Sequence, residues 1–280
     1  MRTPGLLLLT VLFAVSCTGC TQLFFHPHRL LIDTPEKYGV EYQIENFQAA
    51  DGTALNAWFF PAQGKGVAKA TVLFLHGNAE NISTHFRNIA WMPAEGFNVL
   101  ALDYRGYGAS DGTPSLAGAQ LDIDAAMRSL LVHQGVDPNR IVIFGQSLGG
   151  ALAIHYVAHS AYRAHLRAVV IDSAFYDYRQ IAKEKLATSS LTWLFQWLPW
   201  LAIDNDYSPA DSVAALSPIP LLLMQGDQDE VVPLQHTRQL FERAGEPKER
   251  WVVPGAGHTQ SLNNEAVRKR LIEFLLRYTN

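Results

Sequence analysis

The chain has 280 residues, of which 48% are apolar and 17% charged, and a formal charge of -4. This is the composition of a globular protein, long enough for one large α/β domain or two small ones. With a weak negative balance and no local cluster of Lys and Arg, the chain offers no electrostatic footprint for nucleic acid, which is excluded as a partner.

Residues 1–20 differ from the rest: Arg2 precedes the unbroken apolar run LLLLTVLFAV at 6–15, and SCTGC follows. A run this short suits the core of an export signal better than a membrane span, which needs about 20 residues. Both cysteines, Cys17 and Cys20, lie at the end of this segment. A disulfide framework in the remaining chain is therefore excluded. The placement resembles the lipobox of bacterial lipoproteins, in which a small residue precedes a cysteine that is acylated and becomes the new N-terminus. Cys20, after Thr18-Gly19, is the preferred lipidation site, and Cys17, after Ala14-Val15-Ser16, is the alternative. The resemblance implies a lipid anchor in the cell envelope, with the membrane as a partner. Thr21, in place of an aspartate tied to inner-membrane retention, implies the periplasmic face of the outer membrane if the source is Gram-negative.

A tether at 21–40 leads to a domain over 41–280. EYQIENFQA and LNAWFFPA alternate with period two around DGT at 51–53, which predicts an antiparallel hairpin. ATVLFLHG, FNVLALDY, RIVIFGQS, LRAVVIDS, IPLLLMQG and ERWVVPG are short and rich in Val, Ile and Leu, as buried parallel strands are. Helices are predicted between them at 82–95, 116–134, 148–160, 235–244 and 260–278; the last carries an apolar stripe through Val267, Leu271, Phe274 and Leu275. The alternation predicts an α/β fold with an eight-stranded, mostly parallel sheet and helices on both faces. Residues 176–218 separate two strands by more than a usual crossover and read as a helical cap insertion. Within it Trp193, Trp197 and Trp200 fall on one face of a helix that Pro199 then disturbs, a substrate lid over the carboxyl edge of the sheet.

The segment RIVIFGQSLGGALAIHYVAHS runs from strand to helix through Gly145-Gln146-Ser147-Leu148-Gly149. Glycines two positions either side of the serine suit a turn too tight for side chains there, the geometry that lifts a nucleophilic hydroxyl above a sheet. Such a serine requires a histidine to take its proton and a carboxylate to fix that histidine's tautomer. Of ten histidines, only His258 lies between the last strand and the last helix, where the chain returns to the carboxyl edge. His85, His133, His165 and His236 read as surface residues. His155 and His159 have the spacing of a zinc pair but lack the glutamate of a metallopeptidase signature, so no metal is expected. For the acid, GDQDEVVP offers Asp227 and Asp229.

LHGNAEN at 75–81, DYRGYGASDGTPS at 103–115, GQSLGGA at 145–151, GDQDEVVP at 226–233 and GAGH at 255–258, in this order, resemble the α/β-hydrolase superfamily. Within it they look like the serine aminopeptidase-like and depalmitoylating-thioesterase-like branch, over residues 41 to 280. The resemblance implies that Asp229 rather than Asp227 completes a Ser147, Asp229, His258 triad. It also implies an oxyanion hole from the N–H groups of Leu148 and Asn78. His76 is then structural, and Arg105 with the DYRGYG glycines braces the oxyanion loop. Ser147 excludes the branches that use an elbow aspartate. The implied activity is hydrolysis of carboxylic ester or thioester bonds of acylated substrates, by a monomer needing no cofactor. An aminopeptidase-type exopeptidase, which would need acids such as Asp204, Asp206 or Asp211 to hold an ammonium, is the enzymatic alternative. A non-catalytic envelope lipoprotein that keeps the hydrolase fold is the other.

Overall fold

The computed structural model describes residues 20–64 and 66–279. The signal-like segment and Cys17 lie outside the described residues, and Cys20 opens them.

Eight strands form one sheet: β1 Gln43–Gln48, β2 Ala54–Phe60, β3 Thr71–Leu75, β4 Asn98–Asp103, β5 Ile141–Gln146, β6 Leu166–Asp172, β7 Leu221–Gly226 and β8 Lys248–Val253. Their spatial order is β1-β2-β4-β3-β5-β6-β7-β8. The β1–β2 hairpin is antiparallel, β2 pairs antiparallel with β4, and every pairing from β4 to β8 is parallel. At every position of β3, β4, β5 and β7 the side chain is buried, as strands covered on both faces must be. The cover comes from helices α1 Leu116–Val132, α2 Leu148–His159, α3 Tyr178–Ala187, α4 Gln235–Arg243 and α5 Glu265–Thr279. Two apolar clusters fill the two faces, one containing Leu73, Ile143 and Leu152, the other Phe74, Phe144 and Phe274. The sheet order reverses between β3 and β5, where an open α/β sheet leaves a crevice at its carboxyl edge.

Two predicted helices do not form as expected. Over 82–95 the chain makes a one-turn helix Ile82–His85, then 3-10 turns Phe86–Asn88 and Pro93–Glu95. Pro93 has no N–H for a continuous helix and its ring would press on the carbonyl four residues back. The turns still bury Phe86, Ile89 and Met92 against the sheet. In the cap, α3 starts at Asp177, whose carboxylate accepts from Gln180 N at 2.8 Å. Beyond it the tryptophan segment forms a 3-10 turn Trp193–Phe195 and a single turn Pro199–Ala202, not one amphipathic helix. Pro199 again interrupts the ladder and opens the second turn.

The elbow depends on backbone contact. A Cβ on Gly149 would lie 2.1 Å from the Leu75 carbonyl oxygen, and one on Gly145 would lie 2.5 Å from that of Gly149. Because both obstacles are main chain, neither can be relieved by a rotamer change. Gly149→Ala is expected to cost about 2–3 kcal/mol, a fall in Tm of roughly 5–10 °C, which thermal unfolding followed by circular dichroism checks.

Candidate active site

Ser147 sits between the last residue of β5 and the first of α2 at φ 53° and ψ -119°, a left-handed backbone that L-residues adopt only where the surroundings impose it. Its N–H donates to the Asp172 carbonyl at 2.9 Å, which fixes the turn to the end of β6. His258, in the loop after β8, reaches back so that Nε2 lies 3.0 Å from Ser147 Oγ. Its Nδ1 lies 2.9 and 3.0 Å from the two carboxylate oxygens of Asp229. This contact assigns the proton to Nδ1 and leaves Nε2 facing the serine hydroxyl as an acceptor.

Asp229 is held from several directions. Its Oδ1 accepts from the N–H groups of Val231 and Val232, both at 2.9 Å, and its Oδ2 from Gln225 Nε2 at 3.2 Å. Burial works to raise its pKa, but His258 and the two amides outweigh it and hold the carboxyl below its ordinary value. Asp227, the other acid of the motif, instead accepts from the Gly255 N–H at 2.7 Å and shapes the loop entry to His258. The structure therefore brings Ser147, His258 and Asp229 together and leaves Asp227 outside.

Asn78, Ser147 and Leu148 line one cavity. Among the described residues, the N–H groups of Asn78 and Leu148 have no acceptor, so both are available to an oxygen bound beside Ser147. The loop carrying Asn78 is braced from two sides. Its carbonyl accepts from Tyr107 Oη at 2.6 Å and from the His26 N–H at 2.8 Å, and Tyr104 Oη donates to the His76 carbonyl at 3.1 Å. His26–Pro27 pairs in parallel with Ala79–Glu80, so the tether is part of this brace. His76 is fully buried, with Nδ1 at 2.7 Å from the Gly77 carbonyl, and serves packing.

Several expectations need correction. Arg105 does not brace the oxyanion loop; it donates to Asp122 and to Asp51, tying α1 to the hairpin turn, and the tyrosines of DYRGYG do the bracing. His236 is buried rather than on the surface. It accepts from the Tyr176 N–H at 3.0 Å and donates from Nε2 to Glu184 at 2.7 Å, joining α4 to α3. The three lid tryptophans are 49–58% exposed and do not line the cavity; the segment forms separate turns at Trp193–Phe195 and Pro199–Ala202 instead of one helix. Its inner wall is Leu186, Thr192, Leu198, Pro199 and Ala202. His155 and His159 stack on each other at 4.2 Å, and among the described residues no cluster of His, Cys, Asp or Glu has the makings of a metal site.

A second buried acid escaped the sequence reading. Asp172, at the end of β6, accepts from Gln146 Nε2 at 3.0 Å, Ser173 Oγ at 3.1 Å and Ser261 Oγ at 2.7 Å. Gln146 also donates to the Thr259 carbonyl at 3.3 Å, and the Thr259 N–H donates to Ser173 Oγ at 3.1 Å. This network pins the His258 loop to the elbow. The available signal was an acid closing the apolar strand LRAVVIDS, which the structure pairs with Gln146, the residue before Ser147. Burial pushes the Asp172 carboxyl above its ordinary value despite the three donors.

Comparison with known proteins fits this geometry. The family model described as "Serine aminopeptidase, S33" matches residues 66–217, and one described as "TAP-like protein" matches 200–279. The chain is 35% identical to the uncharacterized protein YfhR of Escherichia coli over 264 residues, 92% of this chain and 88% of that one. The chain belongs to the α/β-hydrolase superfamily. Among solved structures, the Pyrococcus furiosus esterase Pf2001 superposes with a TM-score of 0.74 at 24% identity, over 92% of this hydrolase and 99% of the esterase. A puromycin-hydrolyzing peptidase of Mycobacterium tuberculosis superposes at 0.62 with 20% identity, over 86% of this hydrolase and 39% of the peptidase. The hydrolase is thus of the serine-hydrolase type, and both superpositions speak to its fold.

The Asp172 network predicts a pH signature. A carboxyl whose folded pKa is raised binds its proton more tightly in the native state, so stability declines as pH rises from the unfolded value of about 4 through the raised one. Asp172→Asn removes that term. The stability difference between wild type and variant is expected to move against the wild type across this window and to flatten above it, as urea unfolding at a series of pH values will check. The depressed Asp229 acts in the opposite sense and below about pH 4, where its contribution is lost as pH falls, so the two windows do not overlap.

Proposed function

We propose that the protein hydrolyses carboxylic ester or thioester bonds of acylated substrates, with Ser147, His258 and Asp229 as its catalytic triad. The observation that carries this reading is the Ser147–His258–Asp229 chain of contacts opening onto an apolar cavity of about 560 Å³, a volume typical of small-molecule sites.

In this mechanism Ser147 Oγ attacks the acyl carbonyl while His258 Nε2 takes the hydroxyl proton. Asp229 stabilises the imidazolium and keeps its orientation. The carbonyl oxygen, now carrying the electron pair, receives the N–H groups of Leu148 and Asn78, each donor worth about 3 kcal/mol in comparable sites. Collapse of the tetrahedral adduct expels the alcohol or thiol, which takes the proton from His258. Water then enters, gives a proton to the same nitrogen and attacks the acyl-enzyme, and collapse of this second adduct releases the acid as Ser147 Oγ takes the proton back from His258.

The acyl group is assigned to the space beneath the cap. Phe24, Phe175, Ile181, Leu186, Leu198 and Val232 give that wall its apolar character. Among the described residues, no Asp or Glu lines the cavity, and Lys185 does. An aminopeptidase needs a carboxylate for the substrate ammonium, so this wall argues for an acyl chain. Asp211 is engaged with Arg243, and Asp204 with the Asp206 N–H.

Fluorophosphonate labelling of the full chain tests the triad. Wild type is expected to label; Ser147→Ala is expected to lose labelling, and Asp229→Asn to slow esterase turnover by about 10⁴-fold. A folded wild type that neither labels nor hydrolyses any ester would overturn the reading in favour of a non-catalytic binding protein. Ala182→Trp, which fills the cavity from α3, is expected to shift preference from octanoyl toward acetyl esters by about tenfold in kcat/KM, as a p-nitrophenyl ester series will check.

A further inference from the structure

The outer surface of the cap is apolar to a degree that the catalytic reading does not use. From 186 to 203 the sequence LATSSLTWLFQWLPWLAI contains no charged residue. Leu191, Trp193, Leu194, Trp197, Trp200 and Leu201 within it are between 49% and 82% exposed. Contiguous exposed apolar surface of this kind, rich in tryptophan, marks an interaction site rather than the solvated face of a monomer.

Two observations select its occupant. The first is where the chain enters. Residues 20–24 lead from the apolar run at 6–15 to the cavity, which Leu23 and Phe24 line together with Leu198, Pro199 and Ala202 of the cap. Phe24 packs on Phe175 and on Tyr178, the first residue of α3, with ring centroids 6.2 and 4.9 Å apart. Cys20, where an acyl anchor would attach, therefore lies three residues along the chain from the cavity wall. The second is charge. Lys183 Nζ lies 5.6 Å from the centre of the Trp200 ring, and Lys185 lies at the cavity wall. Tryptophans flanked by lysines at the edge of an apolar face suit the boundary between acyl chains and anionic headgroups.

We propose that the cap surface around Trp193, Trp197 and Trp200 docks on a phospholipid bilayer, so that the mouth of the cavity opens onto that bilayer. This deepens the hydrolase reading and rests on it for the substrate: the acyl chain passes from the bilayer into the cavity along Leu198 and Leu23. The tryptophans outside the cavity serve docking, while Leu198, which is both exposed and part of the wall, marks the passage.

The test uses the full chain in vesicles of phosphatidylethanolamine and phosphatidylglycerol, with and without acyl chains brominated to quench indole emission. Wild type is compared with the Trp193→Ser/Trp197→Ser/Trp200→Ser variant, and both are repeated with Ser147→Ala so that docking is read without turnover. Brominated lipid is expected to quench the wild type strongly and the triple variant little, since of the three tryptophans the variant keeps, Trp58 and Trp251 are buried and Trp91 is partly buried against the core on the other face of the sheet. The triple variant is expected to keep wild-type rates on a soluble acetyl ester, which reports that it folds, and to lose about tenfold on a long-chain ester embedded in the bilayer. Absence of vesicle binding, binding without quenching, or equal quenching in the variant would overturn the docking surface. So would a cross-linked dimer that forms through the patch and excludes lipid. Quenching by a chain that hydrolyses no ester would support the docking surface and overturn the hydrolase reading alone.

Discussion

The turn at Ser147 is the constraint on which the rest of the site depends. A serine at φ 53° costs on the order of 1–3 kcal/mol, and that conformation persists only if its neighbours leave no alternative. β5 is buried between β3 and β6, α2 packs back on the sheet, and the glycines of the elbow touch main chain on β3 and on each other. Side chains larger than hydrogen would push the helix off the strand, and Ser147 would drop from the carboxyl edge. The energy of a whole buried parallel sheet thus supports one serine at the cavity wall.

The strain is shared. Ser173, after β6, and Thr259, after His258, also have positive φ without being glycine, and both belong to the Asp172 network with Gln146. Three chain segments that meet at one edge of the sheet are locked to one another by buried hydrogen bonds around a single acid. Asp229 holds His258 directly, whereas Asp172 holds the loop on which His258 stands. The two carboxylates differ in electrostatic sense. His258 and two backbone amides hold Asp229 below its ordinary value, whereas burial outweighs the donors to Asp172 and pushes it above.

The amino-terminal segment is integral to the same construction. The His26 N–H supports the Asn78 carbonyl, Asn81 Nδ2 donates to the His28 and Leu30 carbonyls at 2.7 and 2.9 Å, and Leu23 and Phe24 form cavity wall. What reads along the chain as a tether is, in space, one side of the site. Cap and tether meet as walls of the one cavity that Ser147 lines.

Much of this was legible in the sequence, because the signals are local. Apolar runs of Val, Ile and Leu at regular spacing determine a parallel sheet, and Gly-Gln-Ser-Leu-Gly between strand and helix determines a tight elbow. His258 could be chosen by its place in chain order alone. The tertiary structure decided what local pattern leaves open. Asp227 and Asp229 are two residues apart and chemically alike, and only the fold shows which one meets Nδ1 of a histidine 29 residues further on. Trp193, Trp197 and Trp200 have helical spacing, but the segment folds as two separate turns that leave all three outside the cavity. Asp172 and the tether have no motif at all, since their roles are made entirely by hydrogen bonds to residues up to 89 positions away or by packing across the cap. Periodicity reports which face of an element is apolar; which polar atoms meet across the sheet edge is decided by the closure of the whole chain.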